Sequence, residues 1–346
     1  MRSREGRSYE SRKGVVALVG VVTLLTAGCT SSGSPSGSGS SSSGASSAKQ
    51  MRIAYVTSGL DGWIQANVDA LKRGAQTSAV TMFNANYDPA KLTGQLQSIA
   101  ASKQYDAVAV VPFTGLSVPA IKTVIDSGAK VATVLVPAIT PATNQLVPGA
   151  VIATGEPYER TGRSIGTLTV QACKKLNPCN VALIIGSKTI PADQTFTTGF
   201  QAAIKGSDNI KLVASGEGKF DPQAARSTAQ NILQAHGDLN VLVTEADNMT
   251  GGAELAVRDA GKAGSIALIG HGASVQGCAA VKSGTWFGTT VSLPQTNGEI
   301  AGKALRDAVF NGAKPANPTP DPVGDFPGGQ TITQQNVDKC PAQWSQ

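Results

Sequence analysis

The sequence predicts an α/β protein built as two doubly wound, parallel-sheet lobes, and three observations carry that reading. From residue 51 onward one unit repeats: a short apolar, β-rich run, a turn, then an amphipathic helix. Continuous apolar strands alternating with helices belong to parallel sheets covered on both faces. The body of about 300 residues is more than one hydrophobic core comfortably serves, which favours two lobes over one large sheet. A TIM barrel is also a βα series, but ten or eleven strand runs exceed its eight.

The elements follow in order. RIAYVTS (52–58) is a buried strand, followed by a helix near 63–77. VTMFNAN (80–86), DAVAVVP (106–112) and KVATVLVP (130–137) are further strands, with helices beginning near Pro89 and Val118. A second series then opens with AVIATG and continues through NVALIIGS, IKLVASGEG, LNVLVTEAD, SIALIGHG and TWFGTTVSL. Its helices are expected near 159–176, 195–205, 222–236, 249–260 and 275–283.

Ahead of this body lies a different kind of chain. Arg2, Arg4, Arg7, Arg12 and Lys13 precede the 13-residue apolar run VVALVGVVTLLTA, which ends in small residues. A bilayer-spanning helix needs about 20 apolar residues, so residues 1–28 read as a signal peptide. Thr26-Ala27-Gly28-Cys29 resembles a bacterial lipobox, with Cys29 as the lipidated residue; ordinary secretion with Cys29 incidental is the alternative. The stretch CTSSGSPSGSGSSSSGASSA buries almost nothing on folding, so residues 29–49 are expected to be a tether. The mature protein is expected on the outer face of a membrane, held by its acyl chains.

Charge and cysteines narrow the function classes. Taking away five basic and two acidic residues with the signal peptide lowers the formal charge from +6 to +3. No Lys/Arg cluster interleaved with aromatics follows, so a nucleic-acid partner is not expected. Cys173, Cys179, Cys278 and Cys340 remain, an even number in an oxidising compartment. Cys173 and Cys179 bracket the tight KKLNP loop and pair most naturally with each other, leaving Cys278 and Cys340 for a long-range bridge. Metal binding is the alternative, but the spacings are not those of a zinc site, and His236 and His271 adjoin no CxxC.

RIAYVTSGLDGW with LKRGAQ, the stretch from Asn84 to Gly115, NVLVTEADNMTGGAELAVRDAGK, and IALIGHG through KAL resemble, in order, the segments of the ribose/galactose family of periplasmic binding proteins. The resemblance spans residues 51–339 and implies the periplasmic-binding-protein type I fold, two lobes joined by a three-crossover hinge around a ligand cleft. It divides the body into residues 50–153 with 293–323 as the N-terminal lobe and 154–292 with 324–346 as the C-terminal lobe. LacI-type repressors share this fold but carry an N-terminal helix-turn-helix, absent here.

In open α/β sheets a ligand sits beyond the carboxyl ends of the strands, so residues just after each strand are the candidates. Trp63 and Phe220 stand where aromatics of the resembled family follow strands, and His271 replaces a family phenylalanine. Asp247 matches the aspartate of the family's N-D-x-M-A turn, although Ala246 stands for its asparagine. Other family sugar-reading positions are occupied by Gly272, Val136-Pro137, the 194–196 segment and Ser292. Polar contacts are therefore expected from Ser58, Asp61, Gln194, Glu245 and Asp247, with Asp193 as a further substitute. Glu156, in GEPYER, is either another substitute, a hinge residue or an acid at a helix N-terminus. These departures point to a solute less hydroxylated, larger or more apolar than a free aldose.

Catalysis is not expected: two histidines, no GxSxG or HExxH, and no phosphate-cradling glycine motif leave no nucleophile, base or metal set. What the resemblance implies is the substrate-binding lipoprotein of an ABC importer for a sugar or sugar-like solute. It would need no cofactor, act as a monomer, and close on its solute before docking on a permease served by an ATPase. The other reading is a sensory lipoprotein that presents its ligand to a membrane receptor.

Overall fold

The computed structural model describes residues 50–346; the expected signal peptide, Cys29 and the tether through residue 49 lie outside the described residues. The chain runs β1 (Ile53–Thr57), α1 (Gly62–Ala75), β2 (Val80–Asn84), α2 (Pro89–Ser102), β3 (Ala107–Val110), α3 (Val118–Asp126), β4 (Lys130–Leu135) and β5 (Ile152–Gly155). It continues through α4 (Tyr158–Ala172), β6 (Cys179–Ile185), α5 (Pro191–Ile204), β7 (Ile210–Glu217), α6 (Pro222–Ala235), β8 (Val241–Thr244), α7 (Asp247–Asp259) and β9 (Ala267–Gly272). The last elements are α8 (Val275–Ser283), β10 (Gly288–Val291), α9 (Pro294–Asn311) and β11 (Thr331–Ile332).

Two sheets result, ordered β2-β1-β3-β4-β5 and β11-β10-β9-β8-β6-β7. All pairings are parallel except the short β10–β11 edge. Read from β7, the second sheet runs β7-β6-β8-β9-β10, the same winding as the first. Strand order therefore reverses between β1 and β3 in one sheet and between β6 and β8 in the other, and such switch points open a crevice at the carboxyl ends. The central strands β1, β3, β6 and β8 are buried along their whole length, as an apolar run between two helix layers must be, whereas the edge strands β2 and β7 are only partly covered.

AVIATG does not open the second sheet. Its strand β5 pairs with β4 along its whole length and closes the first sheet, so the chain leaves that sheet after Gly155. The sequence could not separate these cases, because a buried parallel strand reads the same in either lobe. Helix α9 and strand β11 add to the expected elements, and α9 carries the chain back onto the first lobe. Gly298 and Gly302 of α9 meet the backbone of α1 at Asn67 and Leu71, an approach any side chain there would block. The chain thus crosses between lobes three times, after β5, after β10 and after α9. Both expected bridges are present, Cys173–Cys179 and Cys278–Cys340, with Cα separations of 5.6 and 6.0 Å. Among the described residues no helix is long and apolar enough to cross a membrane.

Candidate functional site

The carboxyl ends of the two sheets face each other around a cavity of about 70 Å³. The first lobe contributes the loops after β1, β2, β3 and β4, and the second those after β6, β7 and β8 with the end of β9. Both switch points therefore open onto the same space.

Its walls are largely aromatic: Trp63, Tyr87, Phe113, Tyr158, Phe220 and Trp344. The Trp63 indole N–H donates to Ser292 Oγ at 2.7 Å, and the Trp344 indole N–H to the Gly272 carbonyl at 2.8 Å. With their polar edges anchored, the indoles are held as fixed apolar surfaces. Tyr87 and Phe220 stack with ring centroids 5.6 Å apart.

Three carboxyl groups share this space. Asp61 caps α1, its Oδ1 accepting from the Ile64 N–H at 2.8 Å, and burial raises its pKa against that bond. On the other lobe, successive backbone amides hold two acids side by side: Gly186 N–H donates to Glu245 Oε2 at 2.8 Å and Ser187 N–H to Asp193 Oδ2 at 2.7 Å. Burial pushes Asp193 up to about 8, with the Glu217 charge adding to it. Glu245 is raised well above the usual carboxylate range by burial and then by Asp193. Its Oε1 has no hydrogen-bond partner. His271, whose Nδ1 lies 2.8 Å from Thr290 Oγ1, is lowered to about 4 by burial and stays neutral at physiological pH.

Of the expected contact residues, Ser58, Asp61, Trp63, Phe220, Glu245 and His271 line the cavity. Two do not. Asp247 is fully buried behind it, accepting from the Ser274 N–H and Thr289 Oγ1, and so ties α7 to the N-cap of α8 and to β10. Gln194 turns outward and donates to the Lys188 carbonyl at 2.8 Å, while its helix neighbour Asp193 faces inward. Glu156 does not line the cavity either: its Oε1 accepts from Ser292 Oγ at 2.7 Å, Leu293 N–H at 3.2 Å and Asn297 Nδ2 at 3.3 Å. It therefore joins the crossover after β5 to the one after β10. Sequence reasoning missed Tyr87, Phe113, Tyr158 and Trp344. Tyr87 had a signal, since it follows β2 as Phe220 follows β7; Trp344, in a tail without regular structure, had none.

Two wound lobes closing their carboxyl ends on a cavity lined by six aromatic side chains define a two-lobed solute-binding protein. The chain belongs to the periplasmic binding protein family, whose domain model matches residues 53–314. The family is one of binding proteins, not enzymes. The ribose import binding protein of Salmonella typhimurium is 33% identical over 116 residues, 34% of this chain and 38% of the relative. The D-allose-binding periplasmic protein of Escherichia coli is 29% identical over 132 residues, 38% of this chain and 42% of the relative. These matches span about two fifths of the curated relatives' length. A solute-binding protein of a Bacillus halodurans ABC transporter, solved with myo-inositol, superposes with a TM-score of 0.71 at 22% identity, over 85% of this chain and 98% of that one. The Actinobacillus succinogenes protein solved with D-allose gives 0.68 at 20% identity, over 84% and 99%. These structures share the fold.

Proposed function

We propose that this protein is the extracytoplasmic substrate-binding lipoprotein of an ABC importer, taking a sugar or sugar-like solute into the interlobe cavity and delivering it to a membrane permease. The observation that carries the reading is the aromatic-walled cavity where the switch points of both lobes meet, since sugar rings lay their C–H faces on aromatic rings. The names of the relatives, ribose- and allose-binding, support the solute class. The closed lobes act as a monomeric signal to the permease and its ATPase. The lobe division at residues 153/154, 292/293 and 323/324 belongs to this proposal, with the first boundary moved just past β5. Cys29 provides the anchor.

A thermal-shift screen tests the reading, with sugars, polyols, glycosides, amino acids and nucleosides at about 1 mM. A ligand of micromolar dissociation constant stabilises the native state by about 4 kcal/mol at that concentration. Stabilisation by carbohydrates or polyols is expected, and a response to amino acids or nucleosides alone overturns the solute class. Palmitate labelling of the wild type, lost in Cys29→Ser, tests the anchor separately.

A further inference from the structure

The lining of the cavity is unbalanced in charge. It carries Asp61, Asp193 and Glu245 but, among the described residues, no lysine or arginine, and its one histidine is uncharged. Lys188 and Lys219, in the loops after β6 and β7, are exposed and outside it, and Glu217 beside them adds a further negative charge. Thr114 Oγ1 lines the cavity without a partner, but the nitrogen donors of the lining are largely engaged. The indole N–H groups of Trp63 and Trp344 are committed to Ser292 and Gly272, and the Asn248 amide N–H to the Phe220 carbonyl at 2.7 Å. Against these spent donors, Glu245 is 1% exposed with Oε1 unpartnered. Burying a carboxylate without a counter-charge is costly, and a cation entering the cavity would supply one.

We propose that the cavity takes a sugar-sized solute bearing a protonated amine, its ammonium group seated at the adjoining carboxylates of Asp193 and Glu245 and its ring against the aromatic walls. The inference rests on the solute-binding reading above and narrows it. A metal ion does not fit, because no three His, Cys, Asp or Glu side chains among the described residues converge as ligands. Aromatic faces beside carboxylates instead suit an organic ammonium, which gains from ring quadrupoles and opposite charge together. Seating the cation also returns Asp193 and Glu245 toward their ordinary ionisation, so binding expels protons.

Calorimetry on the purified full-length protein compares D-glucosamine with D-glucose and D-galactosamine with D-galactose, with N-acetyl-D-glucosamine as the uncharged amide. The amine is expected to bind about tenfold or more tighter than its hydroxyl parent and the amide. Its heat should differ between phosphate and Tris at pH 7, as proton release requires. Glu245→Gln, with Asp193→Asn as a second variant should the first not fold, should erase the preference while neutral-sugar binding changes less. Equal or tighter binding of the hydroxyl parents, or of the amide, overturns the amine inference and leaves the solute-binding reading standing. A full preference retained in a folded Glu245→Gln overturns it as well. Silence from amines and neutral sugars alike overturns both.

Discussion

The ring of Tyr87 lies on the ring of Phe220, centroids 5.6 Å apart and planes 18° from parallel, and the two come from opposite lobes. They are equivalent residues. Tyr87 follows β2 in Asn86-Tyr87-Asp88-Pro89 and Phe220 follows β7 in Lys219-Phe220-Asp221-Pro222, and β2 and β7 hold the same place in their sheets. In each copy the aspartate caps the next helix and the proline opens it. In each copy the aromatic and the residue before it are both left-handed, with φ between 53° and 58°. Non-glycine residues adopt that conformation at a cost of roughly 1–2 kcal/mol each, and here it turns both rings into the cleft.

This pair is expected to hold the lobes shut. Such stacking contributes about 0.5–1.5 kcal/mol beyond burial, so Tyr87→Ala or Phe220→Ala should shift the open-closed balance roughly two- to tenfold toward open. Small-angle scattering of the ligand-free variants should give a larger radius of gyration than the wild type. The double variant should add little to either single one, because the contact is already lost. Additive effects would mean that each ring acts through other neighbours.

Trp344 is expected to support the cavity wall and the fold together. It is 5% exposed, its indole N–H bonds to the Gly272 carbonyl, and its own carbonyl accepts from the Val275 N–H at 2.8 Å. Trp344→Ala should cost about 3 kcal/mol, as other large-to-small buried aromatic changes do, read as a lower urea midpoint at unchanged slope. Trp344→Phe keeps most of the packing and should recover more than half of that loss.

The two bridges should differ in worth. Cys278–Cys340 closes a loop of 62 residues and Cys173–Cys179 one of 6. In the chain-entropy account the longer loop stabilises by about 2 kcal/mol more. Paired serine replacements, Cys278→Ser with Cys340→Ser against Cys173→Ser with Cys179→Ser, should show that gap in chemical unfolding. An equal loss from both pairs would favour a native-state contribution over loop closure.

The strands were legible because a parallel sheet buried on both faces leaves an uninterrupted apolar run, and all the runs from RIAYVTS to TWFGTTVSL contain strands. Which sheet a run joins is not written in its periodicity, and that is why AVIATG was placed in the wrong series. Helix α9 was obscured by Gly298 and Gly302, which lower helix propensity but let α1 and α9 touch. Looking just beyond each strand brought Ser58, Asp61, Trp63, Phe220, Glu245 and His271 to one cavity. Asp247 and Gln194 failed for a local reason, since each neighbours a residue that lines the cavity and points elsewhere. Trp344 depends on how the tail folds back, which no local pattern encodes.

Glu156 should make stability depend on pH in a direction opposite to that of a surface carboxylate. Burial lifts its pKa from 4.5 to about 7, against hydrogen bonds from Ser292 and the Leu293 N–H. In the unfolded chain the group ionises near its ordinary pKa, while in the folded chain it keeps its proton to about 7. Between those values the folded state binds more protons, so stability falls as pH rises, by about 3 kcal/mol in all, and is flat above. Asp193 and Asp247, raised to about 8 and about 6, push in the same direction. Glu156→Gln keeps the hydrogen-bonding shape without the charge. Its unfolding free energy should therefore fall less steeply than that of the wild type from pH 4.5 to 7. Parallel stability curves for the two proteins would show that Glu156 ionises normally in its buried site.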